Sequence, residues 1–196
     1  MVRHNLKFSP KVAGICATLL LLGAWLPDAN AQESRTEWLK YESLEGRFRL
    51  QMPAELSTSI DTVGTPLGEL AYHVFYYQSP AEDADNLFYM LSYTDYPTGT
   101  FHADSTELLR EFWETTAQAA AESVGGTLIY SNDEPFRGHP GYFWRVQYLE
   151  DRAVVKTKAF LVGDRYYALQ TIALRERALN PATDRFFNSF HLLGDN

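Results

Sequence analysis

Three basic residues on two neighbouring predicted strands are the best candidates for a binding site. Arg145 lies in one alternating segment, and Lys156 and Lys158 lie in the next. The hairpin that connects the segments puts all three side chains on one face of a sheet, beside aromatic residues. A focused positive patch on an acidic protein would attract an anion or an acidic partner. A solvated face, whose long stems cover apolar neighbours while the charges stay in water, would show the same pattern.

Metal coordination has little support in the sequence. The histidines beyond residue 31 are His73, His102, His139 and His191. None is followed by a second histidine four residues later, the spacing of a helical zinc site. The Glu82-Asp83-Ala84-Asp85 segment lacks the glycine and the distal glutamate of an EF-hand loop. We therefore predict no metal site and no cofactor.

Catalytic motifs are equally scarce. The sequence contains no G-x-S-x-G elbow, no G-x-G-x-x-G and no phosphate loop, and Gly125-Gly126 follows a predicted helix instead of opening one. Scattered Ser, His and Asp residues form a triad only if the fold brings them together. We predict a protein that is not an enzyme. The alternative, an unrecognised hydrolase, requires a buried polar cluster with shifted pKa values.

The first 31 residues have the three-part pattern of a secretory signal peptide. A basic segment from Arg3 to Lys11 precedes an apolar run from Val12 to Leu26, and small residues follow at positions 29–31. The run is shorter than the ~20 apolar residues that span a bilayer. We predict cleavage after residue 31, a single domain over residues 32–196, no membrane span in the cleaved chain, and a periplasmic or secreted location.

The cysteine content and the net charge argue against further kinds of site and partner. Cys16 is the only cysteine and lies in the leader, so the exported chain would have no disulfide and no thiolate site, which suits a bacterial periplasm. The net charge is −8, and cleavage removes three of 17 basic and one of 25 acidic residues, which leaves −10. Such a charge argues against nucleic acid as a partner.

Alternating segments bounded by turns predict an antiparallel sheet. Strands are predicted at residues 47–52, 67–77, 87–93, 127–130, 142–149, 154–162 and 165–174. Asp104 and Glu107 form a capping box for a helix that Gly125-Gly126 ends. Asn180-Pro181 opens a closing helix with Phe186, Phe187 and Phe190 on its buried side. Since strands and helices do not alternate, the fold class is α+β with about six to seven antiparallel strands.

Tight turns predict the register of the last three strands. A two-residue turn at Gly163-Asp164 pairs Val162 with Arg165, and a loop around Asp151-Arg152 pairs Leu149 with Val154. One face then forms a core, with Tyr142, Trp144, Val146, Tyr148, Val155, Thr157, Ala159, Leu161, Tyr166, Ala168 and Ile172. The opposite face has Phe143, Arg145, Gln147, Lys156, Lys158, Phe160, Tyr167, Leu169 and Thr171.

Several strings together resemble the PsbP-like superfamily. They are Trp38-Leu39-Lys40-Tyr41, Gly46 to Pro53, Gly138-His139-Pro140-Gly141, Val162 to Leu169, and Phe186-Phe187-Asn188-Ser189-Phe190. The resemblance covers about Trp38 to Leu192 and implies an antiparallel sheet of about six strands between helices, an α-β-α sandwich. Its members, by the same resemblance, are non-enzymatic photosystem II subunits and assembly factors, a transport factor that binds a small GTPase, and exported bacterial proteins. The metal ligands of some plant members have no match here.

These observations favour an exported, non-catalytic binding or assembly protein that docks a protein partner or an envelope component. Its partner-binding residues would be Arg145, Lys156 and Lys158. The alternative is a periplasmic carrier of a small ligand, because the 12 Tyr, 11 Phe and 3 Trp residues beyond residue 31 could line an aromatic cleft.

Overall fold

The computed structural model describes residues 38–65, 67–101 and 105–194. The predicted signal peptide, residues 1–31, lies outside the described residues, as do Asp104 of the predicted capping box and His102. None of the helices in the described ranges is both long enough and apolar enough to cross a bilayer.

The described chain forms two antiparallel sheets and two α-helices. In chain order the elements are β1 (Leu39–Ser43), β2 (Phe48–Met52), β3 (Ser57–Thr65), β4 (Gly68–Gln78), β5 (Phe88–Asp95), α1 (Thr106–Ser123), β6 (Thr127–Asp133), β7 (Gly141–Tyr148), β8 (Ala153–Val162), β9 (Arg165–Leu174), a 3-10 turn (Arg175–Arg177), α2 (Pro181–Ser189) and β10 (His191–Leu192). The large sheet has the order β3-β4-β5-β9-β8-β7-β6, and the small sheet has the order β1-β2-β10. The predicted α+β class and the antiparallel sheet are confirmed.

The membership of the large sheet differs from the prediction. Residues 47–52 were expected in it, but β2 pairs with β1 and β10 in the small sheet. Its place in the seven-stranded sheet is taken by β3, which pairs along its whole length with β4. The sequence of β3, STSIDTVGT, is small and polar and lacks an apolar alternation, because an edge strand with little buried surface needs none.

The hairpin registers are confirmed at one turn and wrong at the other. Val162 pairs with Arg165 as predicted. In the β7–β8 hairpin, however, Tyr148 pairs with Ala153, so the predicted partner of each residue is off by two positions. The cause is a four-residue loop whose residues Leu149, Glu150 and Asp151 all have positive φ, at 53°, 54° and 65°. Since the error is an even number of residues, the predicted faces are unchanged.

Each face of the large sheet carries its own hydrophobic cluster. Helix α1 covers the predicted core face, where its residues Phe112, Trp113 and Ala117 form one hydrophobic cluster with residues of the sheet. All eleven sheet residues that were predicted for this face are buried. The small sheet and α2 cover the opposite face, where Phe48, Leu50, Met52, Phe186 and Phe187 pack with Phe160, Tyr167 and Leu169. The helices thus lie on opposite sides of the sheet, and α2 shares its side with a second sheet.

The ends of the two helices differ in how well the sequence predicts them. Asn180 caps α2, its side chain accepting a hydrogen bond from the Thr183 N–H at 2.8 Å, and Pro181 is the first helical residue. This start was predicted correctly. Helix α1 begins at Thr106, and the Ser105 side chain before it makes no capping hydrogen bond, so the described residues contain no capping box for α1.

Candidate functional site

The structure brings two of the three predicted binding residues into direct opposition. Arg145 of β7 and Lys156 of β8 are register partners on the face that α2 partly covers. Lys158, two residues further along β8, pairs with Phe143 instead. Its Nζ donates a hydrogen bond of 2.6 Å to Oε1 of Glu134, in the loop between β6 and β7. One of the three positive charges predicted to bind a partner is therefore neutralised within the chain.

Arg145 and Lys156, which we call the basic pair, have no such counter-charge. Both side chains are half-buried, and neither forms an ion pair within 4.0 Å with a residue in the described ranges. The Nε–H of Arg145 is buried and has no hydrogen-bond acceptor among those residues. Like charges directly opposite each other in a sheet lower its stability, so the basic pair is an unfavourable arrangement for folding alone.

The electrostatics of Lys156 reflect this environment. Burial lowers the pKa of Lys156, and the nearby positive charge of Arg145 lowers it further. Asp184, in the first turn of α2, acts in the opposite direction and raises this pKa. Asp184 is exposed and lies beyond ion-pair distance, so its field offsets only part of the positive charge.

Two aromatic rings extend the basic pair toward the edge of the sheet. Tyr130 of the edge strand β6 is the register partner of Arg145. Its ring stacks on Phe143, with the centroids 5.8 Å apart, and Phe187 of α2 meets Phe143 edge-on. Tyr130 is 45% exposed. We call Tyr130, Phe143, Arg145 and Lys156 together the edge patch.

Sequence reasoning did not assign Tyr130 to this face, and the reason is a β-bulge. The β6–β7 register shifts between Leu128 and Tyr130, so that Tyr130 pairs with Arg145. Without the extra residue, Tyr130 would face Trp144 and the α1 side, because a shift of one position reverses the face. Strict alternation gives no signal for such a bulge.

The motif from Val162 to Leu169 has a structural role. Asp164 accepts hydrogen bonds from the backbone N–H groups of Gly99 and Phe101 at 2.8 and 2.9 Å. Arg165 donates to both carboxylate oxygens of Asp95 and to the Glu45 carbonyl. The hydrogen bonds to Asp95 raise the pKa of Arg165. These bonds tie two connections, residues 44–47 and 96–101, to the end of the sheet.

The histidines are dispersed over the described chain. His73 stacks on Tyr93 with the ring centroids 4.3 Å apart, His139 forms an isolated bridge with Phe136, and Nδ1 of His191 contacts the Ser189 carbonyl. Within residues 38–65, 67–101 and 105–194, no three His, Cys, Asp or Glu side chains are grouped as a metal ion would need.

Comparison with known proteins gives a structural match and no sequence match. No family model matches the chain, and no curated protein matches it. The solution structure of cyanobacterial PsbP (CyanoP) from Synechocystis sp. PCC 6803 is similar, with a TM-score of 0.53 and 13% identity over 84% of this chain and 98% of that chain. The fold is PsbP-like. A Pseudomonas aeruginosa protein of unknown function is also similar, with a TM-score of 0.32 and 13% identity over 75% of this chain and 88% of that one.

The match confirms the resemblance read from the sequence strings at the level of the fold. Those strings are structural: Gly46 lies against Phe48 and Tyr93, where a Cβ would be 2.5 to 2.9 Å from their rings, and Phe186 and Phe190 are buried. The four residues of the edge patch lie outside those strings, on strands β6 to β8 of the PsbP-like sheet, and Phe143 contacts one string through Phe187.

Proposed function

We propose that this chain is an exported, non-catalytic binding or assembly protein, and that it docks an acidic protein partner through the edge patch in the periplasm or outside the cell. The observation that supports the proposal is the basic pair. Two cations oppose each other on a half-buried face, and none of the described carboxylates pairs with either of them.

The physical argument is that a negative charge on a partner would compensate the two positive charges of the basic pair. Half-burial and mutual repulsion make the basic pair costly in the free protein. A partner that supplies a negative charge would remove both costs at once, so the arrangement is more favourable in a complex than alone. Lys158, by contrast, has its own carboxylate at 2.6 Å and would gain nothing.

The remaining half of the patch suits protein recognition. Tyr130 and Phe143 form a stacked, partly exposed pair next to the charges. Tyr and Arg, with Trp, are enriched among the energetically dominant contacts of protein interfaces, since each combines apolar area with hydrogen-bonding capacity.

The alternative function, a carrier of a small ligand, requires aromatic side chains that face the ligand. Many buried rings in the described residues contact other rings: Phe48 meets Phe75, Phe136 stacks on Phe160, and Trp113 stacks on Tyr142. Much of the aromatic content therefore contributes to the two hydrophobic clusters. A co-purifying small molecule is the result that would favour the carrier.

Site-specific photo-crosslinking tests the docking proposal. A benzoylphenylalanine placed at Tyr130 should crosslink to an acidic protein in envelope extracts of the native host, and the same probe at exposed Ile60, on the opposite edge strand, should not. Adding Arg145→Gln and Lys156→Gln together should abolish the crosslink, while Lys158→Gln should preserve it. Equal crosslinking by the double variant and the parent would overturn the proposal.

A further inference from the structure

The edge patch also indicates what chemical group its partner presents. We propose that the basic pair binds one carboxylate, the side chain of a Glu or Asp residue in the partner, and that an apolar side chain beside it packs on Tyr130 and Phe143. This inference rests on the docking function proposed above and specifies the ligand of the same site.

The geometry favours a single shared anion. Side chains directly opposite each other in an antiparallel pair have Cβ atoms about 4.5–5.5 Å apart, and Arg145 and Lys156 are such partners. A carboxylate has two oxygens, so one group can accept from the guanidinium and from the ammonium at the same time. A separate anion for each cation would place two negative charges equally close together.

The unused donor of Arg145 supports this assignment. Its Nε–H is buried without an acceptor in the described chain, whereas Arg165 satisfies the same group with Asp95 Oδ1 at 2.5 Å. Arg165 shows how this protein pairs an arginine fully, through Nε and one terminal nitrogen with the two oxygens of one carboxylate. At Arg145 the corresponding Nε–H has no such acceptor among the described residues, and a guanidinium is suited to pair with a carboxylate.

The charge balance argues for an isolated carboxylate over a dense polyanion. The whole chain carries a net charge of −8, and Asp184 adds a negative field beside Lys156. A nucleic acid or an anionic membrane presents many phosphates at once and would be repelled by the rest of this surface. A single carboxylate within a protein segment needs only the local positive charge of the basic pair.

The neighbouring rings define the second element of the ligand. Tyr130 and Phe143 lie side by side on adjacent strands, and Ile129 in the bulge is also exposed. A partner segment with an apolar residue next to its acidic residue would bury this surface while the carboxylate contacts Arg145.

Arginine side-chain NMR of the chain over residues 32–196, without the predicted signal peptide, tests the inference directly. The probe is the peptide acetyl-Gly-Leu-Glu-Gly-amide, and its matched control has Gln in place of Glu. We expect the Arg145 Nε–H cross-peak to shift saturably with the Glu peptide and to show about tenfold weaker binding with the Gln peptide. Lys156→Gln should weaken the binding of the Glu peptide by a similar factor, while Lys158→Gln should leave this binding unchanged.

The opposing outcomes are equally defined. Equal affinities for the Glu and Gln peptides would overturn the carboxylate assignment, and so would inorganic phosphate that shifts the same cross-peak at lower concentration than the Glu peptide. If the Tyr130 crosslink still depends on the basic pair while the peptides fail to discriminate, the docking function stands and only the carboxylate assignment fails. If the peptides fail to discriminate and the Tyr130 crosslink does not depend on the basic pair either, the proposed docking function is overturned as well.

Discussion

Two lysines on the same strand and the same face should respond oppositely to the same substitution. Lys156 opposes Arg145, whereas Lys158 bonds Glu134. We expect Lys156→Gln to raise the free energy of unfolding, because it removes a like-charge contact from a half-buried position. We expect Lys158→Gln to lower it, because it leaves the Glu134 carboxylate without its cation.

The magnitudes follow from the geometry. Two unit charges about 5 Å apart at an effective dielectric constant of about 20 repel by about 3 kcal/mol, which is an upper bound. Solvent at a half-buried position and the field of Asp184 reduce the net effect to the size of other cross-strand side-chain interactions, about 0.2–1 kcal/mol. For Lys158 we expect a loss of about 0.5–1 kcal/mol, since its partner Glu134 is 40% exposed and solvent screens the pair.

Urea unfolding at pH 7, followed by tryptophan fluorescence, measures both effects. With a slope of about 2 kcal/mol/M, the midpoints should move by about 0.3 M in opposite directions. Because the pKa of Lys156 is lowered in the folded state, its destabilising charge is fully present below that pKa. It is relieved as the pH rises toward the unfolded value, so the gain from Lys156→Gln should shrink at alkaline pH.

The result that would refute this reasoning is a decrease of the midpoint for both variants. A loss for Lys156→Gln would mean that the lysine has a stabilising partner in the free protein, and the basic pair would then need no external anion. A combined Arg145→Gln and Lys156→Gln variant serves as the control, because the gain from the second substitution should disappear once Arg145 is neutral.

Three further perturbations test the packing. Burial raises the pKa of Tyr93 to about 12, so its ionisation costs stability between pH 10 and 12; Tyr93→Phe should remove this loss at pH 11 and have little effect at pH 7, as urea unfolding at both pH values would show. Gly141→Ala places a Cβ 2.4 Å from the Glu134 carbonyl and should lower the free energy of unfolding, measured by urea unfolding, by at least about 2 kcal/mol, whereas Gly64→Ala, with no atom within 4 Å, should be nearly neutral. Asn180→Ala removes the α2 cap and should cost about 1–2 kcal/mol, measurable as a lower thermal midpoint; no change would show that the cap is dispensable.

Local patterns predicted the elements that are buried on at least one regular face. Phe48, Leu50 and Met52 alternate inward, and α2 begins where Asn180-Pro181 indicates. These predictions succeeded because side-chain period and capping chemistry depend on a few adjacent residues. The faces of β7, β8 and β9 were also predicted correctly, because a register error of two residues does not change the side on which a residue lies.

Elements with little buried surface escaped prediction. Strand β3 is stabilised by backbone pairing with β4 and has few buried side chains, so its sequence shows no alternation to detect. The loop at Leu149–Asp151 adopts positive φ without a glycine, and turn chemistry read from residue types therefore gave the wrong hairpin pairing.

The candidate site also has features that the sequence determined and features that it did not. The sequence by itself determined that Arg145, Lys156 and Lys158 share one face, since that depends only on the two-residue period of a strand. Only the tertiary structure decided that Lys158 meets Glu134 and that Arg145 meets Lys156, because loop conformation sets which residues lie opposite. The bulge that turns Tyr130 toward Arg145 is likewise a property of the pairing between β6 and β7, which strict alternation along either strand does not encode.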